Sequence, residues 1–155
     1  MQAFFMSEIM FDTQSLNPGK VALIVEYDGA SFFGWQRQTK PPVPTVQQVL
    51  EDALGKVANH EVTVFCAGRT DARVHASAQV AHFETSVCRS PKAWVCGVNA
   101  NLPDSVVVRH AQQVAEDFHA RHSAVARSYR YVIANTSVRS ANFAKKVTYE
   151  PSPLD

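Results

Sequence analysis

The order of short apolar runs and capped helices is the feature that most constrains the fold of this chain. The β-branched run Val21–Val25 ends at the turn residues Tyr27-Asp28-Gly29, which predicts a largely buried strand. Patterns of the same kind predict further strands over 62–66, 78–84 and 106–110, and helices over about 45–58 and 90–97. The resulting order, β-α-β-β-α-β, is typical of the ferredoxin-like α+β class, an antiparallel sheet with helices on one face that leaves the other face free for a ligand.

Both predicted helices begin with a recognisable cap. Thr45 followed by Gln48 forms a capping box directly after the Pro-rich segment 40–44. Ser90-Pro91 places a preferred N-cap residue before a proline at the first helical position. The apolar residues that recur at helical spacing on one face of the first helix are Val46, Val49, Leu50, Ala53, Leu54 and Val57.

The rest of the chain adds one strand and one polar loop to this pattern. The strand is predicted over 127–134, where Tyr129, Tyr131 and Ile133 alternate with Arg130 and Val132. The segment 67–75 is too polar at its centre for a buried strand and lies between two predicted strands. We therefore expect it to be a loop held by the sheet, a position where functional residues often collect.

The composition excludes several classes of protein. With 46% hydrophobic residues and a formal charge of +1 from 15 Lys+Arg and 14 Asp+Glu, the 155-residue chain is neither disordered nor able to bind polyanions through bulk charge. The sequence contains no apolar run near the ~20 residues of a membrane helix. The three cysteines show no C-x-x-C spacing, which argues against a disulfide framework or a zinc cluster and favours a reducing cytoplasm.

Gly68-Arg69-Thr70-Asp71, within the polar loop, is the first candidate for chemistry. A guanidinium two residues before a carboxylate can hold that carboxylate ionised and oriented. The alternative is an Asx turn that stabilises the loop, with Arg69 as a surface cation. The tripeptide taken alone favours the turn.

The segment 32–38 combines aromatic residues with arginine and amides, side chains that stack on unpaired bases and hydrogen-bond to their edges. The alternative is a loop whose aromatic residues fold back onto the core. Composition does not separate these two interpretations.

A positive stripe runs through 118–122 and 127–131, where arginines and histidines occur without an acidic residue. Such a stripe can contact RNA phosphates, or it can be a solvated strand edge protected by charge. His119 and His122 have no third donor near them in sequence, so they do not form a recognisable metal site.

Several motifs taken together and in order closely resemble the N-terminal half of the TruA-type tRNA pseudouridine synthases. The similarity extends from about residue 21 to residue 135. The segments that carry it are 27–29, 34–38, 46–51, 67–72, 74–76, 99–103, 117–121 and 129–131. No single one of these motifs is specific, whereas their shared order is.

The resemblance implies a set of site residues. Asp71 is the catalytic carboxylate, Arg69 orients it and helps to hold the target nucleotide, and Tyr129 stacks on the extruded uracil. The residues that meet tRNA are Phe118, His119, Ala120, Arg121 and His122. Trp35, Gln36 and Arg37 are weaker candidates for RNA contact or for loop structure.

The resemblance also implies a reaction and its partners. The family converts uridine to pseudouridine in the anticodon arm of tRNA, at positions 38, 39 and 40, without a metal or other cofactor. The full-length enzyme is expected to be a cytoplasmic homodimer. The alternative, from another functional class, is a truncated, non-catalytic RNA-binding fragment of such an enzyme.

Two departures from the family pattern bear on that alternative. Arg73 stands where the family has glycine, and an arginine at positive φ would cost roughly 1–2 kcal/mol, whereas at an ordinary φ it adds a cation beside the RNA. The family's C-terminal half, which completes the cleft, is also absent from this chain.

The domain organisation follows from the same comparison. Residues 1–19 are predicted to form a disordered leader, residues 20–135 the domain with the catalytic loop, and residues 136–155 the start of a connection to the absent half. A sheet built to continue into a second half would expose an open edge and an apolar face. We therefore expect the isolated chain to self-associate.

Overall fold

A computed structural model describes residues 14–154 and confirms the α+β class. In chain order the elements are β1 (Gly19–Tyr27), α1 (Val46–Ala58), β2 (Phe65–Cys66), β3 (Ala76–Thr85), α2 (Pro91–Asn99), β4 (Val106–Gln113), β5 (Ile133–Asn135) and β6 (Thr148–Glu150). The first four strands form an antiparallel sheet in the order β2-β3-β1-β4. This order is the one expected for the split βαβ pattern.

The core lies between the two helices and one face of this sheet. Alternate residues of β1, namely Val21, Leu23, Val25 and Tyr27, are buried on that face. They pack with Leu50 and Leu54 of α1 and with Trp94 and Val98 of α2. Because side chains alternate along a strand, the other face of the sheet remains outside this core.

Both helix starts are confirmed. The hydroxyl of Thr45 accepts a hydrogen bond from the Gln48 N–H at 3.4 Å, and the hydroxyl of Ser90 accepts one from the Ala93 N–H at 3.2 Å. Helix α1 ends at Ala58 and is capped by Asn59, whose backbone is left-handed. The sequence therefore located α1 closely, because its caps and its apolar stripe are local signals.

Strand β2 is shorter than the predicted strand over 62–66. At Val64 the backbone N–H donates to a side chain and not to a neighbouring strand. Its acceptor is the buried carboxylate of Glu51 on α1, at 3.0 Å. The same carboxylate accepts from the Gln47 amide at 2.8 Å. Regular pairing with β3 therefore begins only at Phe65.

The predicted strand over 127–134 is wrong for most of its length. Only Ile133–Asn135 forms a strand, and it pairs in parallel with Thr148–Glu150 in a separate small sheet. Arg127 instead anchors the preceding segment, through hydrogen bonds from its guanidinium to the carbonyls of Ala67 and Arg121, each at 2.9 Å. The tyrosines of this segment are exposed, so alternation here did not reflect a half-buried strand.

The predicted leader over 1–19 needs correction at its C-terminal end. Residues 1–13 lie outside the described part of the chain. The Leu16 N–H donates to the Arg89 carbonyl at 2.8 Å, the Asn17 N–H donates to the Gln113 amide oxygen at 2.7 Å, and β1 begins at Gly19. Residues 16–19 are therefore joined to the domain by backbone hydrogen bonds that composition does not reveal.

The segment 114–123 crosses part of the other face of the sheet. Lys20 of β1 donates from Nζ to the carbonyls of Glu116 and Phe118, at 2.5 and 3.2 Å. Val80 and Val107 remain exposed on the uncovered part. Neither helix among residues 14–154 has the length and apolar character needed to cross a membrane.

The exposed valines lead to a prediction about self-association. Strand β4 is an edge of the described sheet, and Val107 on it is 39% exposed. We expect the chain to sediment as a concentration-dependent mixture of monomer and larger species, and Val107→Lys to shift that mixture toward monomer. Val125→Lys, at a fully exposed loop position, is the control and should leave sedimentation unchanged. A single monomeric species for the parent chain at high concentration would contradict the prediction.

Candidate active site and nucleic-acid interface

A groove of about 710 Å³ opens beside β2, at the end of the sheet where the segments 63–69 and 119–129 approach each other. Its lining is Trp35, Gln36, Gln47, Thr63, Val64, Phe65, Cys66, Ala67, Gly68, Arg69, His119, Arg121, His122, Arg127 and Tyr129. It thus joins three of the motifs that the sequence analysis treated separately.

The groove is basic although the chain is nearly neutral. Arg69, Arg121 and Arg127 line it together with His119 and His122, and none of the described lining residues is acidic. Such a concentration of cations raises the local potential for a phosphate backbone without a high net charge. The arrangement is therefore suited to a polyanionic ligand of limited length.

Arg69 and Asp71 both lie on an exposed part of the loop Ala67–His75, called here the Asp71 loop. Arg69 lines the groove, whereas Asp71 does not and projects from the loop two residues farther on. The ion pairs found among residues 14–154 do not include one between these two side chains. The predicted guanidinium contact is therefore not formed in this conformation.

The backbone of the Asp71 loop is held against the segment 32–35. The Trp35 N–H donates to the Thr70 carbonyl at 2.9 Å, and the Arg73 N–H donates to the Phe32 carbonyl at 3.2 Å. Gly34 has φ +96°, and a Cβ there would lie 2.7 Å from the Thr70 carbonyl oxygen. Glycine is thus required for both its conformation and the close approach of the two loops.

A buried tyrosine supports the loop from below. The hydroxyls of Tyr27 and Thr70 lie 2.8 Å apart and share a hydrogen bond. Burial raises the pKa of Tyr27, with the hydrogen bonds to Thr70 and Gln79 acting in the opposite direction. The phenol therefore remains neutral and keeps its proton for these contacts.

Tyr129 lines the groove close to Gly68, near the start of the Asp71 loop. Its side chain is 74% exposed, and its hydroxyl would be 3.7 Å from a Cβ built on Gly68. Arg127, which the predicted site did not include, fixes this segment through its bonds to Ala67 and Arg121. The sequence signal that could have identified Arg127 was its place in the positive stripe at 127–131.

The five residues predicted to contact RNA divide into two groups. His119, Arg121 and His122 line the groove. Ala120 is only 2% exposed, and its N–H donates to Nδ1 of His82 at 3.2 Å, so in this conformation its side chain does not reach a ligand. Phe118 is half-buried, and its ring packs nearly perpendicular to that of His82 with the centroids 5.9 Å apart. These two residues hold the segment to the sheet.

Phe65 is an aromatic lining residue that sequence reasoning missed. It is 47% exposed and stacks on His82 with ring centroids 5.2 Å apart, and His119 lies 5.5 Å from it. The only signal that could have identified Phe65 as a lining residue was its outward position on an edge strand. Burial raises the pKa of the neighbouring Cys66 thiol to about 11, so at neutral pH this group is a neutral thiol and not a nucleophile.

In the segment 35–37, Trp35 and Gln36 line the groove, and Trp35 and Arg37 also make contacts within the fold. Trp35 is buried and packs against Tyr27, with ring centroids 6.0 Å apart. Arg37 pairs with Glu51 at 3.0 Å, and this hydrogen bond raises the pKa of the guanidinium. Residues 14–154 contain no cluster of three or more histidine, cysteine or acidic side chains able to hold a metal.

Comparison with known proteins shows the family. A sequence profile described as tRNA pseudouridine synthase matches residues 23–123. The chain belongs to the tRNA pseudouridine synthase family. The matched residues include the Asp71 loop and the part of the positive stripe up to His122, whereas Arg127 and Tyr129 of the groove lie beyond them.

Several curated relatives share the name tRNA pseudouridine synthase A. The protein of Shigella boydii serotype 4 (strain Sb227) is 55% identical over 146 residues, which are 94% of this chain and 53% of that protein. Relatives from Escherichia coli (strain SE11) and Salmonella arizonae are 54% identical with the same coverage. The chain thus spans about half the length of the curated relatives it matches.

Arg73, where the resemblance places a family glycine, has φ +67°. This is the left-handed region, in which an L-residue other than glycine is strained. The structure therefore decides between the two possibilities for this position in favour of strain. Arg73 lies two residues after Asp71, on the same loop.

The strain at Arg73 leads to a prediction about stability. We expect Arg73→Gly to raise the free energy of unfolding by about 1 kcal/mol. Glycine removes the backbone strain of the folded state, and this gain exceeds the stabilisation that its greater conformational entropy gives to the unfolded state. Arg73→Ala, which removes the side chain and keeps the strained φ, is the matched control and should give no gain. Equal stability of all three proteins in urea unfolding would contradict this.

The contact between His82 and Ala120 leads to a prediction about pH. Burial is the main cause that lowers the pKa of His82, with smaller contributions from His119 and Lys20, while Glu84 acts in the opposite direction. Below about pH 6.5 the unfolded state then binds more protons than the folded state, so stability falls with acidification.

We expect the free energy of unfolding to decrease between about pH 7.5 and about pH 5.5, and to decrease less in His82→Asn. The asparagine keeps an acceptor for the Ala120 N–H and does not titrate. The measurement is urea unfolding across this range. The same slope in both proteins would show that other groups cause the dependence.

Proposed function

We propose that this chain provides the catalytic-loop part of a tRNA pseudouridine synthase that isomerises uridine in the anticodon stem-loop, at positions 38, 39 and 40 as the family resemblance implies. The main support is one observation: an exposed carboxylate lies on a loop with a fixed backbone, and the same loop contributes Arg69 to a basic groove that carries an exposed tyrosine. The names of the relatives support the reaction.

The proposed reaction breaks the bond between ribose C1′ and uracil N1, turns the base over and joins its C5 to C1′. The proton on C5 is released to solvent and N1 gains one, so the product is an isomer. Positive character develops on the sugar and negative charge on the departing uracil, which delocalises that charge itself. For this reason we propose no metal or other cofactor.

Asp71 is the proposed catalytic carboxylate. An ionised carboxylate close to C1′ can attack it, or can take the C2′ proton to give a glycal. The exposure of Asp71 supports either route, since a nucleotide can reach an exposed residue from solvent. The proposal therefore includes both attack on C1′ and removal of the C2′ proton.

The groove residues have supporting roles in this proposal. Arg69 contacts the target nucleotide and orients the carboxylate once the nucleotide brings the two together, and Tyr129 stacks on the everted uracil. His119, Arg121 and His122 bind phosphates of the anticodon arm. Arg127 holds Tyr129 near the loop through its bond to the Ala67 carbonyl.

The wider biology is part of the proposal as well. The relatives' name supports tRNA as the substrate, and the family resemblance supports a cytoplasmic homodimer for the full-length enzyme. The three free cysteines are in keeping with a reducing compartment.

The second candidate function is a non-catalytic RNA-binding fragment. The strained φ of Arg73 favours it, because strain two residues from Asp71 can displace the carboxylate. Under this alternative the groove binds tRNA and the uridine is not isomerised. Release of tritium from tRNA that carries 5-tritiated uridine separates the two candidates, since only the enzyme exchanges C5.

We expect Asp71→Ala to reduce tritium release to background while tRNA binding persists, because the groove cations remain. The assay uses this chain and, in parallel, a chimaera that appends the part of the Escherichia coli relative not covered here. Asp104→Asn, at an exposed acid outside the groove, is the control and should retain release.

Normal release by Asp71→Ala would refute the catalytic role. Release that appears in the parent chain or chimaera only after Arg73→Gly would assign the loss to loop strain. Binding of tRNA without release in any protein, including Arg73→Gly, would favour the RNA-binding alternative.

A further inference from the structure

Gln79, a buried residue of β3, makes contacts that the proposed chemistry has not used. Its side chain is 9% exposed and lies below the start of the Asp71 loop. Its amide nitrogen donates to the Gly68 carbonyl at 2.5 Å, and its amide oxygen accepts from the Gly68 N–H at 3.4 Å. One side chain thus satisfies both backbone groups of one loop residue.

This contact begins where regular strand pairing stops. Phe65 and Cys66 pair with β3, and the Ala67 N–H still donates to the Val80 carbonyl at 2.8 Å. At the next residue the chain leaves the sheet, and the Gln79 amide takes the place of a backbone partner for Gly68. The loop therefore starts from a fixed point although the strand has ended.

The hydrogen bonds also fix the orientation of the amide. Its nitrogen faces the Gly68 carbonyl and, at 3.5 Å, the Tyr27 hydroxyl, while its oxygen faces the Gly68 N–H. A rotated amide would place donor against donor and acceptor against acceptor, which is costly at a buried site. A single rotamer is thus favoured.

Gln79 and Tyr27 together hold two loop residues that flank Arg69. Gln79 binds Gly68, and Tyr27 binds the Thr70 hydroxyl at 2.8 Å. Thr70 directly precedes Asp71 in the chain. The side chains of Arg69 and Asp71 are exposed, so the backbone contacts on either side are what orient them.

We propose that Gln79 is a positioning residue for the Asp71 loop, and that it acts through Gly68 to hold Arg69 and Asp71 in the arrangement needed for chemistry. The proposal rests on the proposed function for its kinetic effect. Its physical basis is that catalytic geometry is sensitive to displacements of about 1 Å, which can cost ~10²-fold in rate.

The chain offers a matched control for this test. Asn99 makes the same pair of contacts on the other side of β1, where its amide donates to the carbonyl of Val108 on the edge strand β4 at 2.9 Å and accepts from the Val108 N–H at 2.8 Å. Gln79→Met and Asn99→Leu each remove one amide that binds both backbone groups of one residue. Only the first lies beneath the Asp71 loop.

The kinetic test measures pseudouridine formation per folded molecule in the chimaera, with the folded fraction taken from urea unfolding. We expect Gln79→Met to lower kcat between about tenfold and ~10²-fold with KM within about twofold, and Asn99→Leu to leave both values unchanged. An unchanged kcat in Gln79→Met, or an equal loss in the two variants, would overturn the proposal.

A second pair of variants tests the neighbouring contact. Thr70→Ser keeps a hydroxyl for Tyr27, whereas Thr70→Val keeps the shape and loses it. We expect the serine variant to retain kcat and the valine variant to lose it. Equal activity of the two would show that hydrogen bonding below the loop does not set the rate.

Hydrogen exchange makes the test independent of activity. In this chain, Gln79→Met should expose the Gly68 amide to faster exchange, and Asn99→Leu should leave it as in the parent. If the chimaera forms no pseudouridine even when it carries Arg73→Gly, the proposed function fails and the exchange rates decide the positioning claim. Equal exchange at Gly68 in all three proteins would overturn it.

Discussion

The antiparallel pairing of β1 with β3 is the contact on which the rest of the structure depends. Its register places Val25 opposite Gln79 and Tyr27 opposite Ala76, with an irregularity between the two pairs. That arrangement brings a phenol and an amide together at one end of the sheet, directly below the loop that carries Asp71. A slip of β3 by one residue would turn Gln79 away from the loop and move the buried side chains of Ala81 and Phe83 to the other face of the sheet. The same strand register therefore builds the core and places the side chains that support the Asp71 loop.

The basic groove shows how a nearly neutral chain can serve a polyanionic ligand. Its arginines come from two separate segments that meet only in the folded protein, and acidic side chains are absent from the described lining. Arg127 contributes in two ways, because its guanidinium lines the groove and also bonds to the carbonyls of Ala67 and Arg121. The guanidinium of Arg127 thus adds positive charge to the groove and also joins its two walls.

Local signals in the sequence predicted the helices and the order of the main strands, because caps, apolar spacing and β-branched runs act within a few residues. The prediction of a strand over 127–134 was wrong because strand formation depends on a partner distant in sequence. Alternating tyrosines describe a strand only if a partner strand is available, and no local pattern reports that Arg127 instead bonds to Ala67. The same limit applies to Phe65 and Gln79, whose roles arise from neighbours distant in sequence. The φ of Arg73 also depends on contacts between loops, so the sequence indicated two outcomes and the backbone decided between them.

Glu51 has a mechanical consequence for the groove. Its buried carboxylate receives hydrogen bonds from Arg37, from Gln47 and from the Val64 N–H, and so ties α1 to two separate stretches of chain. Gln47 and Val64 are also part of the groove wall. Because Gln47 also donates to the Val64 carbonyl, a rotation of α1 about its axis would move this wall of the groove relative to the segment 119–129, and the position of the helix would change the width of the cleft.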